Sequence, residues 1–144
     1  MTGEATLTTM APNRRSTTDE LMAETVQLAA AVRSCLVACP VAGPTGDPAA
    51  ALGRLRQVAK LGELTALIGY GVAWLLVRKA VEAGELSPEE GRADERRLGA
   101  TPPLAGIGPY LEAAVGLELA GLDAQVRALH ARLVRLDRRL DDTG

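Results

Sequence analysis

From Thr65 to Val77 no side chain is charged at neutral pH, and this run lies inside a segment with the periodicity of a long helix. A helix in a globular protein normally marks its wet face with charge. The stretch TALIGYGVAWLLV marks none, so a fold for this chain has to cover it on every side. At about 100° per residue, Leu67, Tyr70, Trp74, Val77 and Val81 form one apolar stripe. Leu64, Ile68, Val72 and Leu75 form a second. Between them runs a seam of Leu55, Val58, Gly62, Thr65, Gly69, Ala73, Leu76 and Ala80, whose small residues let another helix approach closely. The first stripe, Leu67, Tyr70, Trp74, Val77 and Val81, is expected at a dimer seam or in the core. Two covers are available for the rest: the connection from Leu98 to Ile107, or a second copy of the chain. The aromatic stripe has the composition that interfaces favour, so a homodimer is expected.

The neighbouring segments supply the rest of the bundle. Residues 1–15 read as a flexible leader, Thr-rich with Pro12 and few apolar side chains. Thr17 and Glu20 match a capping box opening a helix from about Asp19 to Ala38. Its expected buried positions are Leu21, Val26, Ala29, Ala30, Val32, Leu36 and Val37. Asp47 followed by Pro48 restarts the chain as the long helix, which continues to about Ala83 with Gly84 as its stop. Ser87, Pro88 and Glu90 open a short charged helix reaching about Arg97. From about Pro109 to Asp141, Val115, Leu119, Leu122, Val126, Leu129, Leu133, Leu136 and Leu140 repeat at spacings of four and three, a heptad pattern. The chain has no Phe, two Tyr and one Trp, and is rich in Ala, Leu, Arg and Glu, so helix is favoured throughout. The expectation is an all-α domain over residues 16–144, an up-down-up three-helix bundle with a short extra helix before the last long one.

The same residues weigh against several functions. The inward positions of the last helix are Val or Leu, with His130 beside them as a boundary residue, and no nucleophile sits with a partner base. The sequence therefore predicts neither an enzyme nor a cofactor site. Cys35 and Cys39 stand four apart, but one distant His does not complete a metal site. They read as reduced, buried side chains. A net charge of −2 gives no general attraction to nucleic acid. The arginines Arg127, Arg132, Arg135, Arg138 and Arg139 alternate with Asp123, Asp137, Asp141 and Asp142 as a solvated face, which leaves a small nucleic-acid binder as a lesser alternative. The uncharged run falls well short of the roughly 20 residues that span a bilayer, and the N-terminus lacks the apolar core of a secretory signal, so a cytoplasmic location is expected. What remains is a protein acting by contact. Arg78, Lys79, Glu82, Glu85, Glu89 and Arg92 are its expected docking residues.

Trp74, Leu75, Leu76, Arg78, Lys79, Ala80, Val81, Gly84, Glu85 and Ser87, within LTALIGYGVAWLLVRKAVEAGELSPEEGRADERRL, carry a family resemblance. The segment resembles the central region of the regulator of CtrA degradation, an alphaproteobacterial family. The closing ALHARLVRLDRRLDD is similar to that family's last helix, with Leu129, Leu133, Leu136, Asp137 and Leu140 in register. The resemblance implies a cytoplasmic, dimeric three-helix bundle serving as a non-enzymatic adaptor. It also implies that the adaptor delivers cell-cycle regulators to the ClpXP protease together with a response regulator. A helical interaction module with an unrelated regulatory partner is the alternative.

Overall fold

The structure is a computed structural model that describes residues 16–38, 46–98 and 110–142, with side chains from 118 onward in the last stretch. Four α-helices account for most of these residues: α1 (Thr17–Ala38), α2 (Pro48–Glu82), the single turn α3 (Pro88–Gly91) and α4 (Tyr110–Asp142). A 3₁₀ turn at Asp94–Arg96 follows α3. The fold is all-α, and no strand occurs among the described residues. The leader 1–15 lies outside them, as do Cys39 and the connection 99–109 with its expected cover for α2.

Local chemistry explains the boundaries. At α1 the cap falls one residue before the expected Thr17: Ser16 Oγ accepts the Asp19 amide at 3.1 Å. The Thr18 hydroxyl is then free to donate to Glu82 at 2.6 Å. At α2 the Asp47 carboxylate accepts the Ala49 amide at 3.0 Å with Pro48 in the first turn, as the sequence predicts. α2 closes before Gly84, whose φ of 77° lies in the left-handed region that glycine takes without strain. The Ser87–Glu90 capping box is complete.

Side-chain contacts fix the directions of the helices. Asp19 pairs with Lys79 and Glu24 with Arg132, so α1 runs antiparallel to both α2 and α4. Lys60 meets Asp123 and Trp74 meets Asp137, a constant offset along both helices, so α2 and α4 run parallel. The order is up-down-down, a correction to the expected up-down-up. Heptad patterning specifies which face of a helix is buried but not its direction. Leu98 and the first turn of α4 therefore lie at opposite ends of the bundle.

The core consists of Leu21, Leu28 and Val32 of α1, Leu61, Leu64, Leu67, Ile68, Trp74 and Leu75 of α2, and Leu119, Leu122, Val126, Leu129 and Leu133 of α4, closed at one end by Leu98. The α4 repeat is buried as its spacing predicts over its described positions from Leu119 to Leu133; Leu136 and Leu140 are half-buried, and the Val115 side chain lies outside the described residues. On α1 the buried stripe is Leu21, Thr25, Leu28 and Val32. Val26, Leu36 and Val37, expected inside, are more than half exposed, Ala30 is exposed and Ala29 half-buried. Thr25 occupies the stripe because its hydroxyl returns to the Leu21 carbonyl at 2.7 Å, which satisfies the buried donor within its own helix.

The described residues cover α2 on one side. Leu67, Trp74 and Leu75 are buried, as expected. The seam between the stripes is not: Leu55 is 67% exposed, Val58 52% and Leu76 55%, and Gly62, Thr65, Gly69 and Ala73 are open as well. Ala80 is half-buried. In a three-helix bundle each helix has two neighbours, and these cover only the side of α2 that faces both.

Candidate functional site

The two ends of α2 carry different chemistry, and between them lies the open seam. Near the end of the helix, the Trp74 indole N–H donates to Asp137 Oδ1 at 2.9 Å, in a site where Asp137 is 1% exposed. Arg97 Nε donates to the same oxygen at 2.9 Å, its Nη2 donates to the Asp137 carbonyl at 2.8 Å, and its Nη1 reaches Asp141 at 2.9 Å. One buried carboxylate thus ties α2, α4 and the segment after α3 together. A buried charge is tolerated where it is paired and hydrogen-bonded, and here both conditions hold. The Arg97 guanidinium draws the Asp141 carboxyl below its ordinary range, and the two carboxylates raise the arginine in turn. This clamp was not read from the sequence, where Asp137 and Arg97 looked like solvated charges. Position 137 lies next to the buried heptad stripe, and a donor such as Trp74 facing it was the available signal.

Arg78 adds a second layer. Its guanidinium lies 5.5 Å from the centre of the Trp74 ring and donates to the Gly91 carbonyl. A side chain at position 91 would put its Cβ 2.5 Å from Val81 Cγ2 and 2.8 Å from Arg78 Nη2, so glycine allows α3 to lie against α2. Burial lowers the Arg78 pKa from its usual value, with nearby Arg97 and Arg92 acting the same way and Asp137 opposing them.

A second ionic cluster lies nearer the other end. Lys60, 4% exposed, contacts Asp123 at 3.1 Å and Glu63 at 3.5 Å. Arg127 completes the cluster by pairing with Glu63 and with Asp123 at 2.9 Å. Two cations and two anions balance across the α2–α4 contact, fixing the register of the parallel pair. His130 lies one turn beyond Arg127 on α4. Among the described residues its buried Nε2 has no hydrogen-bond partner, and burial together with the Arg127 charge lowers its pKa.

The expected docking residues divide in two. Arg78 is held in the clamp, Lys79 pairs with Asp19, and Glu82 accepts from Thr18 and Ser16. These three hold α3 and the start of α1 to the end of α2. Glu85 and Glu89 are exposed and Arg92 is half-buried, so they form the accessible part of the charged end. Of the expected seam, Leu67 and Trp74 are core, Val77 and Val81 are half-buried, and Tyr70 is 40% exposed on the edge of the open face.

That face carries no charged side chain. Leu52, Leu55, Val58, Ala59, Gly62, Thr65, Gly69, Tyr70, Ala73 and Leu76 are all exposed along it. The Thr65 hydroxyl donates to the Leu61 carbonyl at 2.8 Å, so the one polar group near its centre is already satisfied. Two shallow clefts run along the α1–α4 seam, one of about 270 Å³ floored by Leu21 and Leu136 and rimmed by Arg132, Arg135 and Arg139. The other, about 360 Å³, is lined by Gln27, Leu28, Ala31 and Gln125 among others. No group of three His, Cys, Asp or Glu side chains placed to hold a metal occurs among the described residues. Cys35 is a free, half-buried thiol whose pKa is raised by burial and by Glu118.

Comparison with known proteins gives one match. A family model described as a protein of unknown function, DUF1465, covers residues 11–144. The chain belongs to the DUF1465 family. No curated protein and no solved structure matches it. As a DUF1465 protein it also has two helices, α1 and α2, that are long and apolar enough to cross a membrane by length and composition. The uncharged run alone is too short, but an 18-residue window with few charges meets that test in both helices. Core helices of soluble proteins meet it too.

Proposed function

We propose that this DUF1465 protein is a non-enzymatic adaptor that acts in the cytoplasm by holding protein partners together. The observation that supports this most is the open, uncharged face of α2: a strip of Leu, Val, Tyr and small residues on the outside of an otherwise well-packed bundle. Contiguous exposed apolar surface of this extent is characteristic of contact sites. The clamp adds a second argument. It holds the turn carrying Glu85, Glu89 and Arg92 against the core, so these charges are displayed on a rigid support and need little ordering when a partner docks.

The link to regulated proteolysis rests on the resemblance of the segment around residues 64–97 to the regulator of CtrA degradation. In that reading the protein binds a component of the ClpXP protease and a cargo together, and the cargo's weak second contact becomes effectively intramolecular. The protein is a homodimer in this reading. The test is recovery of ClpX and a response regulator with the tagged protein from its native host. Recovery of both is expected, with a loss of at least tenfold when Glu85→Lys, Glu89→Lys and Arg92→Glu are combined. Recovery unchanged by these reversals rejects the charged end as the docking surface, and recovery of neither partner rejects the proteolytic role.

A further inference from the structure

Arg132, Arg135 and Arg139 stand at i, i+3 and i+7 on α4, a stripe of like charge along one face of the helix. Like charges three and four residues apart repel and weaken a helix. The aspartates interleaved with them do not relieve this. Asp137 is buried against Trp74 and Arg97, and Asp141 is drawn to Arg97. Arg132 finds a partner across the seam in Glu24 of α1, at 2.7 Å. Arg135 and Arg139 are exposed, and among the described residues neither has a hydrogen bond or an ion pair.

These guanidinium groups stand over more than open water. With Thr17 they rim the cleft of about 270 Å³ whose floor is Leu21 and Leu136. Leu21 is 5% exposed and Leu136 half-buried, so the floor is the outer edge of the core. Cations above an apolar floor suit a ligand whose anionic groups flank an apolar one. A phosphate backbone offers the charge and nothing for the leucines. Glu20, Glu24 and Asp142 also stand within one turn of the lining residues, where they repel a continuous polyanion. A short protein segment with Glu or Asp on either side of a leucine-like side chain meets both demands.

We propose that the α1–α4 cleft docks such an acidic, apolar segment of a partner protein, its carboxylates on Arg135 and Arg139 and its apolar side chain on Leu21 and Leu136. The rise from Arg135 to Arg139 is about 6 Å, which matches carboxylates at i, i+4 on a helical segment. Glu24 is the internal competitor, holding one of the three cations until a partner's carboxylate displaces it. This goes beyond the adaptor reading, whose docking residues lie at the end of α2 and on the turn that follows it.

Fluorescence anisotropy of the full chain with a labelled peptide tests the proposal. The probe is a peptide of about 16 residues, long enough to populate a helix, with glutamates at i, i+4, leucines between them on the same face and alanine elsewhere. It should bind at low salt with a Kd on the order of 10–100 µM and weaken as salt rises. Arg135→Glu combined with Arg139→Glu should weaken binding at least tenfold with little change in the thermal midpoint, since both side chains are exposed. Arg33→Glu combined with Arg54→Glu makes the same change in net charge at the other end of the bundle and should leave binding within threefold. Glu24→Gln frees Arg132 and should strengthen binding at least threefold, a direction that damage to the fold would not produce. A probe with serine in place of leucine should bind at least threefold more weakly. Absence of binding at about 1 mM peptide overturns the proposal, and so does equal loss in the two charge-reversed proteins. Binding that ignores the leucine-to-serine change overturns the role of the floor. Duplex DNA bound more tightly than the peptide, and lost on reversal of Arg135 and Arg139, would assign the arginines to phosphate instead. The titration contains no protease component, so this proposal and the proteolytic role fail separately.

Discussion

The two sides of α2 are made of similar residues and have different fates. The inner side carries Leu61, Leu64, Leu67, Ile68, Gly71, Trp74 and Leu75, all buried against α1 and α4. The outer side carries Leu55, Val58, Gly62, Thr65, Gly69, Ala73 and Leu76, all exposed. Both are free of charge at their centres. The inner side differs in having a polar anchor: Trp74 reaches Asp137, and Gly71 admits Leu133. Apolar character states what a face can bury. The groups that need particular partners reveal where those partners are.

The comparison can be broken most sharply on the inner side. Trp74→Ala should cost about 3–5 kcal/mol in urea unfolding, from lost burial and the loss of one of the donors to Asp137. A loss below about 1 kcal/mol would mean that the indole is not the anchor described. Asp137→Ala should cost about 3 kcal/mol, because it leaves the Trp74 N–H and the Arg97 guanidinium without their shared acceptor. Asp137→Asn, which can keep one acceptor oxygen, should cost less than the alanine change. Equal losses would show that the carboxylate acts only by filling space.

Smaller changes compare the two sides directly. Gly62→Ala and Gly69→Ala should each stabilise the chain by up to about 1 kcal/mol through helix propensity alone. Gly71→Ala should fall below both, since Leu133 Cδ1, 3.1 Å from the new Cβ, has to give way. Three equal shifts would remove the distinction between the sides. The smallest expected effect is a pH slope from His130. Its folded pKa lies below the ordinary value of 6.5, so the unfolded chain takes up a proton first as pH falls. Its contribution is fully favourable above about pH 7 and is lost as the pH drops through 6.5 towards the folded value. His130→Gln should flatten the stability profile in that window.

Much of this architecture is legible in the residues. The Asp47–Pro48 start, the Ser87–Glu90 box and the heptad stripe of α4 are local signals, fixed by atoms within a few turns, and they predict elements that the structure contains. The direction of α4 is not local. It depends on the pairing of Lys60 with Asp123 and of Trp74 with Asp137, about sixty residues apart, and heptad spacing is the same read in either direction. The clamp was hidden for a related reason, since Arg97 and Asp137 differ from solvated surface charges only in what lies opposite them. The described residues of one copy cover a single side of α2, because two neighbouring helices cannot surround a third; the expected covers for the other side, the connection after Leu98 and a second copy, lie outside them.

Ala73 and Leu75 stand two residues apart on opposite sides of α2, and their thiol reactivity tests the account most directly. In the Cys35→Ser, Cys39→Ser background, Ala73→Cys and Leu75→Cys would each be reacted with a thiol-disulfide reagent under native conditions, at concentrations where the chain is monomeric. Ala73→Cys should react at nearly the rate of an unfolded peptide thiol, and Leu75→Cys at least a hundredfold more slowly. Equal protection at both positions would contradict the open face on which the contact function rests.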